Sequence, residues 1–251
     1  MPFDADFAAA QLPGQMILWL EQTNSTMLDA ERLADAGCPS GTVIGADLQT
    51  AGQGRQGHSW HSEKESGLYF SLVLRLPLPP GDLPVLTMAL GLAAAETIAQ
   101  HCGIPVDLRW PNDVLVDGRK VCGILVQQAR NALICGIGLN VNQQLFPAGL
   151  APIATSLRAA SGKVFSREAL FVALLSSIAR HTSILTGQGK QAVLDLFTQA
   201  SSYVRGRRVV VDQGGETLYG TTEGMDPGGF LILRRDDGSR TLILAGGVRP
   251  A

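Results

Sequence analysis

Residues 85–95 form an almost unbroken apolar run, Val-Leu-Thr-Met-Ala-Leu-Gly-Leu-Ala-Ala-Ala, inside a longer Ala-rich segment that reads as a helix. Asp82 stands at its expected N-cap, and Gly103 just past its expected end near Cys102. A helix that is apolar all round has no face to give to water, so a central, buried helix is expected. The run falls short of the ~18 residues needed to span a bilayer, and no membrane partner is expected.

The rest of the chain supplies the wrapping. Residues 16–20, 42–48 and 68–76 read as strands, as do the shorter 106–110, 114–116, 120–128 and 132–141. Asp117-Gly118 joins 114–116 to 120–128 in a tight hairpin. A helix capped by Ser25 or Thr26 carries Leu28, Leu33 and Ala34 on one face and closes at Gly37; further helical patterns cover 166–185 and 190–200. From about Arg205 the texture changes. Strands 207–212, 217–224, 230–234 and 241–244, broken by Gly-Gly, Pro-Gly-Gly and Asp-Asp-Gly, read as a small β-barrel. The expected fold is α+β: a mixed β-sheet covered by helices over residues 1–204 and a barrel over 205–251.

Composition narrows the partners. With 45% hydrophobic residues, 17% charged residues and a net charge of −2, the 251-residue chain is not a disordered one. That balance shows no basic face, so no nucleic-acid partner is expected. Cys38, Cys102, Cys122 and Cys135 lack C-x-x-C spacing, which predicts reduced thiols in a cytoplasmic protein. The first 15 residues lack a basic n-region, so no signal peptide is expected.

Three segments are candidates for chemistry. Gly52-Gln-Gly54-Arg-Gln-Gly57 spells G-x-G-x-x-G, but no helical stripe follows it. Residues 76–80 offer no acidic partner for a ribose, so the dinucleotide reading is rejected. What remains is a run of glycine amides beside the Arg55 guanidinium. It is either a plain flexible loop or a lid suited to phosphate and to an anionic intermediate that must be kept from water. In Arg109-Trp-Pro-Asn-Asp113, Pro111 breaks the strand and presents Asn112 and Asp113 on a turn, with Lys120 on a neighbouring apolar strand. Asp113 and Lys120 are either a surface ion pair worth under about 1 kcal/mol or the charge pair of a site for a carboxylate and a phosphate. In Cys135-Gly-Ile-Gly-Leu-Asn-Val-Asn142, two glycines mark a close approach by backbone or ligand, and Asn140 and Asn142 share a face. His58 and His61 sit in the loop without a ligand cluster. His101 and His181 read as helix-surface residues, so no protein-held metal is expected.

Taken in this order, the segments resemble biotin protein ligases. The matching pieces are Asn24-Ser25-Thr26, Gln49-x-Ala-Gly-x-Gly-Arg55-x-Gly with Trp60, Trp110-Pro-Asn-Asp113, Gly118-Arg-Lys120-x-x-Gly123-Ile-Leu-Val126 and Gly136-Ile-Gly-Leu-Asn140-Val-Asn142. The likeness runs from about residue 16 to the C-terminus. It implies a class II synthetase-like catalytic domain with an SH3-like C-terminal barrel, and a two-step reaction. Biotin's carboxylate attacks the α-phosphate of ATP to give biotinyl-5′-AMP. A lysine of a biotin carboxyl carrier protein then takes the acyl group and AMP leaves.

The resemblance also assigns residues. Biotin contacts are implied at Ser25, Thr26, Met27, Gln49, Gln53, Gly54, Arg55, Lys120 and Gly123. ATP or adenylate contacts are implied at Gly52, Gly54, Arg55, Trp60, Asn112, Lys120 and Asn140. Lys120 is expected to bridge carboxylate and α-phosphate, Arg55 to retain the adenylate, and Asp113 to orient or deprotonate the incoming amine. Mg²⁺ is expected on the substrate phosphates. Met27 stands where the family usually has Asn, Gln53 where it usually has Arg, and His58 where another basic residue is common. About 15 residues precede the first strand, too few for a helix-turn-helix, so a DNA-binding regulator is not expected. A monomer or weak homodimer is expected. Lipoate or octanoate transfer and a non-catalytic biotin-binding role are the alternatives, and Arg249 with Gly246-Gly247 is a candidate to reach the site from the barrel.

Overall fold

In the computed structural model, which describes residues 1–213 and 215–251, the apolar segment is helix α3 (Leu83–Cys102), and every residue from Val85 to Ala95 is buried. At Gly91 an added methyl would just meet Leu108, Ile124 and Phe197 at 3.7–3.9 Å, so the helix is enclosed from several sides. Gly103, at φ 67°, ends it as expected. Asp82 precedes it but makes no capping bond; its carboxylate instead accepts from Lys190 at 3.1 Å. With its leading turn this helix spans Pro80–Cys102. That length corrects the expectation drawn from the shorter run, because it and α5 (Arg167–Gln188) are each long and apolar enough to cross a membrane. Most of the first is buried inside the fold.

The sheet that α3 covers has seven strands: β1 (Ile17–Thr23), β2 (Val43–Gln49), β3 (Leu68–Leu74), β4 (Asp107–Arg109), β5 (Asp113–Val116), β6 (Arg119–Ala129) and β7 (Ala132–Leu139). Their order is β1-β2-β3-β7-β6-β5-β4. Strands β1 and β2 run parallel, joined through α2 (Thr26–Asp35); every other neighbouring pair is antiparallel. Alternate residues feed opposite faces. Val43, Leu72 and Cys135 join α3, α5 and α6 (Lys190–Ala200) in the larger core. Ile44, Val73 and Ile134 pack against Met27, Ala30 and Ala34 of α2 on the other side. Leu28, expected on that inward face, is exposed. Asp117 (φ 49°) and Gly118 (φ 74°) are both left-handed, as the tight hairpin requires.

Two helices were not anticipated: α1 (Ala5–Gln11), in the weakly patterned lead-in, and the short α4 (Leu157–Ser161). His181, expected at the surface, is buried on α5. The C-terminal part is a separate antiparallel sheet, SH3-like, of β8 (Arg205–Gln213), β9 (Glu216–Met225), β10 (Leu231–Arg235), β11 (Arg240–Ile243) and β12 (Gly247–Pro250), ordered β11-β10-β9-β8-β12. It has one strand more than expected. Arg249 on that fifth strand bonds to Asp212 and lines no part of the cleft described below. The C-terminal sheet is tied to the N-terminal part by the Trp110 indole N–H, which donates to the Gly229 carbonyl at 2.8 Å.

Candidate active site

The cleft begins with missing side chains. Gly123 on β6 and Gly138 on β7 are direct cross-strand partners, leaving the sheet surface bare at one spot. The Trp60 indole fills it. A methyl on Gly123 would lie 2.8 Å from the ring, and one on Gly138 would overlap it. The glycine pair is therefore a seat for an aromatic side chain delivered by a distant loop.

That loop folds back on itself. Gly54 N–H donates to the His58 carbonyl at 2.7 Å and Trp60 N–H to the Gly52 carbonyl at 2.8 Å, with a single tight turn at Arg55–Gly57. Left-handed Gln56 (φ 54°) and Gly57 (φ 77°) make the reversal. Arg55 leaves the tip and donates through Nη1 to Asn112 Oδ1 at 2.9 Å. Burial lowers the Arg55 pKa, against the opposing pull of the Asp113 charge. Asn112 is fixed from behind, its Nδ2 donating to the Ile124 carbonyl at 3.1 Å.

Asp113 lies between two cations. Arg109 forks onto Oδ2 at 2.6 and 3.2 Å. The Lys120 ammonium sits 2.5 Å from Oδ1, which is sealed from solvent, so each carboxylate oxygen is held by a cation. Burial pushes the Asp113 carboxyl up, but Lys120 and Arg109 together outweigh it and hold the group below the ordinary aspartate value. The Lys120 ammonium also lies 5.4 Å from the centre of the Trp60 ring, within reach of a cation–π attraction.

From this charged centre the cleft runs toward α2, where its walls are Phe70, Ile124, Leu125, Ile137 and Met27. Its polar groups there belong to Thr26 and Gln49. Gln49 Oε1 accepts from Thr26 N–H at 2.9 Å and from the Thr26 hydroxyl at 3.1 Å, and that hydroxyl also meets Ser71 Oγ at 2.9 Å. Met27, Gln53 and Gly54 also line the cleft. Ser25 and Gly52 do not. Ser25 is fully buried at the start of α2 with an unpartnered hydroxyl, and Gly52 lies under the Trp60 backbone.

On the far side of Lys120 a second hollow is bounded by His58, His61, Arg109, Asn140, Phe146 and Ile153. Asn140 donates to the Thr155 carbonyl at 3.0 Å, while Asn142 is locked to the Phe165 backbone at 2.8 and 3.0 Å and stays structural. Both lie beyond the end of β7, so they share no strand face. The sequence reading missed Arg109 and Ser71 as site residues. Arg109 had a signal, standing four residues before Asp113 across a turn, whereas Ser71 had none outside its strand. The result is one groove with a mostly apolar arm, a hydrogen-bonding end and three cations (Arg55, Arg109, Lys120) around one carboxylate, a place to bring two anions together.

Comparison with known proteins gives the same assignment from two directions. Residues 19–143 match the model of the Biotin/lipoate A/B protein ligase family, and residues 205–248 match the biotin protein ligase C-terminal domain. The bifunctional ligase/repressor BirA of Bacillus subtilis is 34% identical over 242 residues, covering 94% of this chain and 74% of that protein. The biotin–acetyl-CoA-carboxylase ligase of Mycobacterium tuberculosis is 32% identical over 261 residues, covering 98% and 94%. Among solved structures, the biotin protein ligase of Aquifex aeolicus in complex with biotin and ATP superposes with a TM-score of 0.83 at 30% identity, covering 94% of this chain and 99% of that one.

Proposed function

This chain belongs to the biotin protein ligase family, and from that premise we propose that it activates biotin with ATP and transfers it to a lysine of a biotin carboxyl carrier protein. The observation that carries the reading is the meeting of Arg55 and Lys120 in one cleft. They come from a loop and a strand far apart in the chain, and are tied to adjacent residues, Asn112 and Asp113.

Biotin's acid group lies at the cationic centre, its apolar tail along Ile124 and Ile137, and its ureido head at Thr26 and Gln49. ATP lies across Lys120 toward Asn140. Lys120 bridges the carboxylate and the α-phosphate, offsetting negative charge as the acyl–phosphate bond forms and pyrophosphate leaves. Arg55 and the Gly54 amide close over the adenylate, and Trp60 walls it off from water. Asp113 steers the carrier amine by charge. Held below the ordinary carboxylate range, it is a weak base.

Among the described residues no three Asp, Glu, His or Cys side chains cluster to hold a metal. The one carboxylate of the groove is already committed to two cations, so the donor set does not fit a resident ion. Mg²⁺ enters as part of the substrate, MgATP. We further take residues 1–204 as the catalytic domain and 205–251 as its C-terminal domain, acting as a monomer or weak homodimer. A cytoplasmic setting agrees with four free cysteines.

The test is incubation with biotin, MgATP and a carrier domain, followed by mass measurement of the carrier. A single biotinyl addition, lost in Lys120→Ala, is expected. Pyrophosphate exchange that depends on lipoate instead of biotin would overturn the substrate assignment.

A further inference from the structure

A buried chain of hydrogen bonds joins the base of the arginine loop to the nucleotide side of the groove. The Tyr69 hydroxyl accepts from the Glu63 N–H and donates to the Glu63 carbonyl, both at 3.1 Å, gripping a single residue by both of its backbone groups. The same oxygen accepts from Gln143 Nε2 at 2.8 Å, and that amide reaches Asn140 Oδ1 at 3.3 Å. Gln143 is fully buried, its own carbonyl takes the Ser156 hydroxyl at 2.5 Å, and its Oε1 is left without a partner. One residue before Glu63, Ser62 Oγ accepts from the Gln49 N–H at 2.9 Å. Two ties therefore clasp the two ends of the loop. Burial pushes the Tyr69 hydroxyl up to about 12, so it keeps its proton and can donate throughout the neutral range.

We infer that Tyr69 is a positioning residue for the reaction: it fixes the exit of the arginine loop above the cleft and couples that position, through Gln143, to Asn140. The inference rests on the reading proposed above. Tyr69 lines no part of the groove, so losing its hydroxyl leaves Lys120, Thr26 and Gln49 in place to make the adenylate. What changes is how often the loop opens. An opened loop lets the mixed anhydride escape before a carrier lysine arrives.

The experiment compares Tyr69→Phe with the full-length parent in two assays: biotin-dependent pyrophosphate exchange, and the share of activated biotin that reaches free amines and water rather than the carrier. The ring stays and three hydrogen bonds go. The biotin KM and the exchange rate should stay near those of the parent, while the escaped share rises about tenfold, the equivalent of roughly one net hydrogen bond of closure. An unchanged escaped share overturns the inference. So does an equal loss in both assays, which marks a purely structural tyrosine. Should Tyr69→Phe not fold, Ser62→Ala cuts the companion tie with a smaller change and must raise the escaped share; no rise there overturns the inference as well. Absence of biotin-dependent exchange in the parent itself would sink the functional reading instead, which keeps the two failures apart.

Discussion

Replacing Asp113 by Asn tests the electrostatic centre most directly. The carboxylate side chain is 13% exposed, and its partners Lys120 and Arg109 are 27% and 21% exposed. Removing one partner of a buried ion pair costs roughly 3–5 kcal/mol, because the survivor is left desolvated and unpaired. Here two cations are stranded, but both keep some contact with water, so the lower end, about 3 kcal/mol, is expected. For a chain of this size that is a fall in Tm of roughly 6–12 °C at pH 7. The pH dependence follows from the direction of the Asp113 shift. The folded-state value lies below the unfolded one, so the stabilisation is complete above the ordinary aspartate range. It is lost as the pH falls through the folded value. Thermal melts of parent and Asp113→Asn protein between pH 7 and pH 3 should therefore show a gap that is widest near neutrality and narrows toward the acid end. A gap of under 2 °C at pH 7, or one that does not narrow, would mean that the Arg109–Asp113–Lys120 cluster is solvated decoration.

Three further outcomes are expected. Arg55→Gly should release adenylate and label bystander amines; because the chain has only four lysines, Lys64, Lys120, Lys163 and Lys190, self-labelling sites can be mapped by peptide mass, and unchanged specificity refutes the retaining role. Gly138→Ala puts a methyl into the Trp60 ring, an overpacking of about 1–3 kcal/mol, so Tm should fall by roughly 2–12 °C and pyrophosphate exchange should drop, and parent-like values of both would show that the indole seat is not used. Iodoacetamide at pH 8 should modify partly exposed Cys38 in the native protein and spare Cys122 and Cys135, whose buried thiols are pushed up to about 12; rapid loss of all four thiols, read by mass, refutes that burial.

Features that depend on neighbouring residues were legible in the sequence. The α3 segment announces itself because an all-round apolar helix has only one solution, and Asp117-Gly118 announces its hairpin because few residues accept two left-handed positions in succession. The glycines of β6 and β7 were legible only as a close approach by something unspecified. That the visitor is Trp60 depends on a loop reversal at Gln56-Gly57 and on the Gly123–Gly138 register, both set by tertiary structure. The fifth strand of the barrel was missed for a related reason. Gly247–Pro250 has no alternation of its own and becomes a strand because β8 offers it an edge. Tyr69 was hidden too: in an apolar strand it reads as one more core aromatic, and only the distant Glu63 and Gln143 give its hydroxyl a purpose.

On the reading proposed above, the direction of the Asp113 shift bears on which of two roles it takes. A carrier lysine has a pKa near 10.4, and a carboxyl held below the ordinary aspartate value lies more than six pH units beneath it. Moving the proton from a free ammonium to this carboxylate would be uphill by about 9 kcal/mol or more, so Asp113 is not a resting base. The amine nitrogen becomes acidic only once it has begun to bond to the acyl carbon. Before that point, the negative charge of Asp113 can draw the lysine in through space, while its two oxygens stay held by Arg109 and Lys120. Lys120 and Arg109 therefore serve a second purpose beyond meeting the substrate's anions. On the proposed reading, by keeping Asp113 ionised they preserve a negative charge that attracts the nucleophile. On that reading the carrier lysine first gives one proton to water to become the free amine, and the amine's second proton leaves by way of water or the departing phosphate side once the new bond has started to form.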